Sequence, residues 1–143
     1  MRDLPMMTRI LIVDDDEDNR DLFCEAVRQL DSSIECTRAK DGEEALEILK
    51  SGKVYKPDFI FLDLNMPRVN GGQFLIEFNK SKEFRHIPVI IYTTSKRKED
   101  QEDTKKLGAV HFITKPNKLS DLYKAISFVL ERNWESGIKI RRK

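Results

Sequence analysis

Short apolar runs that stop abruptly at polar residues recur along the chain. Ile10–Val13 ends at a row of acids, and Phe59–Leu62 ends at Asp63. Val89–Tyr92 ends at Thr93 and Thr94, and Val110–Thr114 ends at Lys115 and Pro116. A weaker run, Ile34–Ala39, lies between the first two. Continuous apolar runs of this length fit strands buried on both faces, as in a parallel sheet.

Helical periodicity fills the intervals. Leu22, Phe23, Ala26, Val27 and Leu30 form one stripe, and Ala45, Leu46, Ile48 and Leu49 a second. Asp16 or Asp18 is placed to cap the first helix. Asp41 and Glu44 have the spacing of a capping box before the second. Phe74, Leu75 and Phe78 mark a third helix and read as core. A highly charged fourth is predicted from about Lys96 to Leu107, capped by Ser95 and stopped by Gly108. Glu99 and Asp100 fall near its start, where negative charge suits the helix dipole. The fifth carries Leu122, Ile126, Val129 and Leu130.

Five strand-then-helix units predict an α/β fold: a doubly wound, five-stranded parallel sheet with helices on both faces and right-handed crossovers. In such folds ligands bind beyond the carboxyl ends of the strands, near the point where the strand order reverses. Those ends carry the candidate chemistry. The first strand ends in Asp14, Asp15 and Asp16, the third in Asp63, the fourth in Thr93 and the fifth in Lys115. Singly, each is an ordinary cap or turn residue. Jointly, they converge carboxylates that repel one another unless a cation neutralises them. Mg²⁺ suits this set, because it accepts one or two carboxylates, waters and a phosphate oxygen. Lys115 and Thr93 would complete a cradle for a dianionic phosphoryl group. Asp63 stands alone at its strand end and is the candidate nucleophile for an aspartyl phosphate.

Composition narrows the alternatives. The 143 residues make about one domain, with 26 basic and 25 acidic side chains and a net charge of +1. Neither nucleic acid nor a membrane surface is an expected partner, and no secretory leader or membrane-length apolar stretch is evident. Cys24 and Cys36 lack metal-site spacing and are expected as small buried apolar residues of a reducing cytoplasm. His86 and His111 are isolated and read as structural. Gly71 and Gly72 lack the lysine and spacing of a phosphate-binding loop, so no nucleotide cofactor is expected.

The ordered motifs Ile10–Asp16, Asp58–Pro67, Pro88–Ser95, Gly108–Ala109 and Thr114–Pro116 resemble the receiver domain of two-component response regulators. The resemblance covers about residues 8 to 132 and implies a flavodoxin-like (βα)5 fold with strand order 2-1-3-4-5. It implies Asp63 as phosphoacceptor, Asp15 as direct metal ligand and Asp14 as the acid holding the metal's water shell. The Asn65 backbone carbonyl would complete the Mg²⁺ ligands. Thr93 and Phe112 resemble the switch pair, and Lys115 the lysine that meets the phosphoryl group through a following cis proline bond. By the same resemblance the protein is a signalling phosphoprotein rather than an enzyme, with self-catalysed phosphotransfer and dephosphorylation. The Leu64–Pro67 turn, the Tyr92–Ser95 strand end and Asn133–Trp134 are similar to stand-alone receivers paired with cyanobacterial-type phytochrome kinases.

The expected organisation is a receiver domain over 8–133 and a basic tail over 134–143, with too little chain after Asn133 for a DNA-binding output domain. The expected partners are a histidine kinase, then a downstream protein or a phosphorelay histidine protein. A second copy is a further candidate at the face of the fourth helix, fifth strand and fifth helix. Departures from the family pattern are Asn70 for an Asp, Asn117 for a frequent Phe, and Thr94 for a smaller residue that would leave the phosphoryl group more open. Trp134 is expected either to cover the domain's end or to join a dimer contact. Two other classes compete. A phosphate-independent interaction module would lack the pocket residues. A small aspartyl phosphohydrolase would want an acid where Asn65 stands, and a capping insertion.

Overall fold

A computed structural model describes residues 8–52, 56–66 and 70–134. Five strands, β1 (Arg9–Val13), β2 (Glu35–Ala39), β3 (Phe59–Leu62), β4 (Val89–Thr93) and β5 (His111–Thr114), alternate with five helices. These are α1 (Glu17–Leu30), α2 (Gly42–Ser51), α3 (Gly71–Asn79), α4 (Lys98–Lys106) and α5 (Leu119–Leu130). All strand pairs are parallel, in the order β2-β1-β3-β4-β5. The order reverses between β1 and β3, as the family resemblance implied.

Alternation along each strand divides the core in two, because successive side chains leave opposite faces of a sheet. Leu11, Val13, Ile60, Leu62, Val89 and Ile91 meet Ala45 and Leu49 of α2 and Phe74, Leu75 and Phe78 of α3. Ile10, Ile12, Phe61, Ile90 and Tyr92 meet Phe23 and Val27 of α1 and Leu122, Ile126 and Val129 of α5. The fully buried Phe23, Phe61, Phe74 and Phe78 each contribute about 1.5–3 kcal/mol by leaving water. The edge strands β2 and β5 are the exceptions to two-sided burial: only Ala39 of β2 and Ile113 of β5 are buried.

Local chemistry sets the helix ends. Asp16 caps α1 by accepting from the Asn19 N–H, and Asp41 caps α2 by accepting from Glu44. Glu44 closes its box one residue early, on the Lys40 N–H at 2.7 Å. Asn70 and Gln73 form a full capping box at α3, so the Asn that departs from the family pattern serves its turn. Gly108, at φ 105°, ends α4 and lets the Ala109 N–H return to the Thr104 carbonyl.

Several expectations are corrected. Ser95 does not cap α4; the cap position is Arg97, without a side-chain bond. Ser95 instead accepts the Arg97 N–H and donates to Asp100 at 2.5 Å, a local turn that delays the helix to Lys98. Leu22 and Leu30 leave the core stripe, because the buried arc of α1 centres on Phe23, Cys24, Ala26 and Val27. The Lys115–Pro116 bond is trans, the isomer favoured for proline bonds in general. Cys24 and Cys36 are not separate apolar fillers: they are joined as a disulfide, and Cys36 is only partly buried. α1 lies against β2 there, and the two sulfurs meet across that contact.

Trp134 folds back on the domain. Its indole N–H donates to the Val129 carbonyl at 2.8 Å, and its ring lies 5.2 Å from that of His111. Of its two expected roles, it covers the domain's end. Pro67, Arg68, Val69 and the basic tail beyond Trp134 lie outside the described residues. Among the described residues no helix is long and apolar enough to cross a membrane.

Candidate functional site

Strand pairing carries one residue past the strands and thereby fixes the site. The Asp14 N–H bonds to the Ala39 carbonyl, the Asp63 N–H to Val13 and the Lys115 N–H to Thr93. Three charged side chains thus start from pinned backbone at the carboxyl edge of the sheet, where the strand order reverses.

Asp14, Asp63 and Thr93 are buried, whereas Asp15 is exposed at the mouth. Oxygens of Asp14, Asp15 and Asp63 lie within 4.8 Å of one another. The Lys115 ammonium donates to Asp14 Oδ2 at 2.7 Å and stands 3.6 Å from Asp63 Oδ2. Asp14 Oδ1 accepts the Asp16 N–H at 3.0 Å, which shapes the acidic turn. The Asn65 N–H donates to Asp63 Oδ1 at 3.3 Å, and its side-chain amide reaches the Thr93 hydroxyl at 3.5 Å. Burial pushes the Asp63 carboxyl above its ordinary pKa, and the Asp14 charge adds to that rise. Lys115, the Thr93 hydroxyl and the Asn65 N–H act in the opposite sense.

The site residues expected from sequence therefore gather in one pocket: Asp14, Asp15, Asp63, Asn65, Thr93 and Lys115. Phe112 stands apart, partly buried against the core on the α3 side of the sheet. Thr94 is exposed beside Thr93.

Two further residues belong to the site. The Arg20 guanidinium donates to the Asp14 carbonyl at 2.6 Å, tying α1 to the acidic turn. Its position one turn past the Asp16 cap was the available signal. Tyr92 lies beneath Lys115, whose ammonium is 5.4 Å from the ring centroid. Burial, with Asp14 and Asp63 nearby, pushes its phenol up to about 12. Phe23 packs against it at a tilt, with ring centroids 5.3 Å apart, which holds that floor in place.

Gly71 supports the acceptor from below. A Cβ there would meet the Asp63 carbonyl oxygen and the Leu64 Cα, both at 2.9 Å. Only glycine lets the start of α3 approach the acceptor loop so closely.

This fold and acid–lysine pocket define a receiver. Residues 10–127 match the response regulator receiver domain, and the chain belongs to that family. It is 33% identical over 111 residues to the polar-differentiation response regulator DivK of Brucella anthropi, covering 78% of this chain and 86% of DivK. It is also 33% identical over 132 residues to the 3',5'-cyclic-nucleotide phosphodiesterase regA of Dictyostelium discoideum, covering 92% of this chain but spanning only 16% of regA. Among solved structures it resembles the phosphorylated cyanobacterial phytochrome response regulator RcpA, with a TM-score of 0.80 and 28% identity, covering 88% of this chain and 93% of that one. The Mn(2+)-bound response regulator Rcp1 is similar too, with a TM-score of 0.78 and 29% identity, covering 90% of this chain and 98% of that one.

Proposed function

We propose that this chain is a phosphorylation switch in which Asp63 accepts a phosphoryl group from a phosphohistidine of a histidine kinase. The observation that carries the reading is the buried Asp63 carboxylate facing two more carboxylates, an ammonium and a hydroxyl in one pocket. In the transfer, an Asp63 oxygen forms a bond to phosphorus while the P–N bond breaks and its electron pair returns to the imidazole. Asp63 must be ionised to attack. Lys115, Thr93 and the Asn65 N–H favour that ionised form against the cost of burial.

The donor set suits a hard divalent cation. Three carboxylates with oxygens within 4.8 Å, and no sulfur or imidazole among them, match Mg²⁺. Asp15, Asp63 and the Asn65 carbonyl would hold the ion directly and Asp14 through water. The bound ion would supply charge neutralisation for the transferring group. The Mn(2+) bound to the related Rcp1 supports this assignment. Lys115 offsets the remaining charge and holds Asp14 in place. Asn65 stands where its amide can orient a water for self-dephosphorylation.

Thr93 and Phe112 are the switch. A new dianion draws the Thr93 hydroxyl inward, the β4–α4 connection follows, and Phe112 fills the vacated space. α4 is built to move, since Thr104 is its single buried residue. The face of α4, β5 and α5 then meets a downstream protein, a phosphorelay histidine protein or a second copy. Phe128 and Leu119 are exposed on α5 and supply apolar area there. The likeness to RcpA supports a phytochrome-type kinase as donor. The working unit is the receiver domain over 8–133, with Trp134 packed against its end, acting in the cytoplasm.

Acetyl phosphate with Mg²⁺ tests this reading by intact mass. One added phosphoryl group, absent from Asp63→Asn and from a chelated sample, is the expected result. No addition from acetyl phosphate or from a phosphorylated histidine kinase would overturn it.

A further inference from the structure

Cys24 lies on the face of α1 that covers the edge strand, and Cys36 is the second residue of β2. Their Cα atoms are 5.9 Å apart, a separation that a disulfide spans without backbone movement. The bond links two elements already packed together, over a sequence separation of 12. Cys36 pairs with Ile10, near the start of β1, so the sulfurs lie well away from the acidic pocket.

The surroundings are those of a reactive pair. A cleft of about 230 Å³ opens at the two cysteines and is lined also by Arg28, Ser32, Ile34 and Arg38. Cys24 is 3% exposed and Cys36 is partly exposed, so a reagent entering the cleft meets Cys36 first. Arg28 and Arg38 are exposed at the cleft, and Arg38 pairs with Asp21 at 3.3 Å. Two guanidinium groups beside the sulfurs attract an anionic reagent. A domain with two filled core layers does not need a cross-link to fold, unlike the small secreted scaffolds that depend on disulfides. Disulfides in reducing compartments are mostly transient and redox-active.

We infer that Cys24 and Cys36 form a reversible thiol–disulfide site that exchanges with an anionic disulfide of the glutathione class. The Cys36 thiolate attacks one sulfur of glutathione disulfide, forms a mixed disulfide and expels one glutathione thiolate. The Cys24 thiolate then attacks the Cys36 sulfur and expels the second. Two protein thiols lose two protons and two electrons, and one glutathione disulfide becomes two thiols.

The full chain is equilibrated in glutathione buffers from fully reduced to fully oxidised, approached from both sides, then alkylated and weighed. Alkylatable thiols are expected to fall from two to zero in one reversible step. Two thiols at every ratio, or none at every ratio, would overturn the inference. The Cys24→Ser variant is expected to retain one glutathione on Cys36, and no adduct would overturn the assigned order of attack. Arg28→Gln with Arg38→Gln, both at exposed positions, is expected to slow oxidation by glutathione disulfide roughly tenfold. The same variant should leave oxidation by the neutral hydroxyethyl disulfide unchanged. An unchanged glutathione rate, or equal slowing with both reagents, would overturn the anion recognition.

Discussion

Replacing Lys115 by Met removes one positive charge from the acidic pocket and keeps the side-chain stem over Tyr92. The ammonium lies 2.7 Å from Asp14 and 3.6 Å from Asp63, and the three side chains are 11%, 1% and 7% exposed. With an effective dielectric near 20, those separations correspond to gross attractions of about 6 and about 5 kcal/mol. Desolvation of the lysine and the carboxylates offsets most of that sum. Removing one partner of a buried pair costs about 3–5 kcal/mol, because the other charge stays buried and unpaired. The pocket opens to solvent at Asp15, which places the cost at the low end, about 3 kcal/mol. With a urea slope of about 2 kcal/mol/M, the midpoint of Lys115→Met falls by about 1.5 M at pH 7 in chelator. Mg²⁺ restores part of the loss, since it neutralises the same carboxylates, and lowering the pH toward 4 shrinks it as Asp63 takes up a proton. Equal midpoints for variant and wild type at pH 7 would refute the reasoning. A loss of the same size at pH 4 and pH 7 would assign it to packing instead of charge.

Asp63→Asn is expected to be more stable than the wild type at pH 7 in chelator, read by thermal unfolding. The Asp63 carboxyl is raised by burial first, so the folded state holds its proton more tightly than the unfolded chain. Its contribution is most favourable below the ordinary carboxylate value of 3.8 and is lost as pH rises through the elevated folded value, so the variant's advantage shrinks toward pH 4. Mg²⁺ is expected to raise the wild-type midpoint more than that of Asp63→Asn; the opposite order would contradict the metal assignment. Gly71→Ala is expected to cost about 1–3 kcal/mol by urea titration and to slow phosphorylation by acetyl phosphate, because its methyl group meets the Asp63 carbonyl at 2.9 Å. Wild-type phosphorylation in that variant would show that the acceptor loop yields freely. Thr94→Ala is expected to shorten the lifetime of the phosphorylated form by opening the mouth of the pocket, and an unchanged lifetime would remove Thr94 from that role.

The strand ends were the most legible part of the chain. Asp14, Asp63, Thr93 and Lys115 follow apolar runs whose parallel pairing brings them to one edge, so sequence order alone placed them together. Caps that act over three residues were also readable, Asp41 outright and Asp16 as one of two candidates, whereas the Asn70 cap of α3 was read only as a turn. What escaped depends on tertiary angle or on competition between local bonds. Leu22 and Leu30 fit the helical period, but the docking angle of α1 turned them outward and brought Cys24 in. Ser95 has the composition of a cap, yet its hydroxyl bonds Asp100 and the Arg97 N–H inside a turn. The pairing of Cys24 with Cys36 needs α1 laid across β2, a contact no spacing rule encodes. Arg20 and Tyr92 were hidden for the same reason, since each reaches the pocket from an element read only for its core face.

The central claim is that Asp63 is the residue that carries the phosphoryl group. Reduction of the acetyl phosphate-treated protein with borohydride converts an aspartyl phosphate to homoserine, and tandem mass spectrometry then locates it. Homoserine at position 63, found only when Mg²⁺ was present, is the predicted result. Homoserine at position 14 or 15 in place of 63, or at none of the three, would contradict the account.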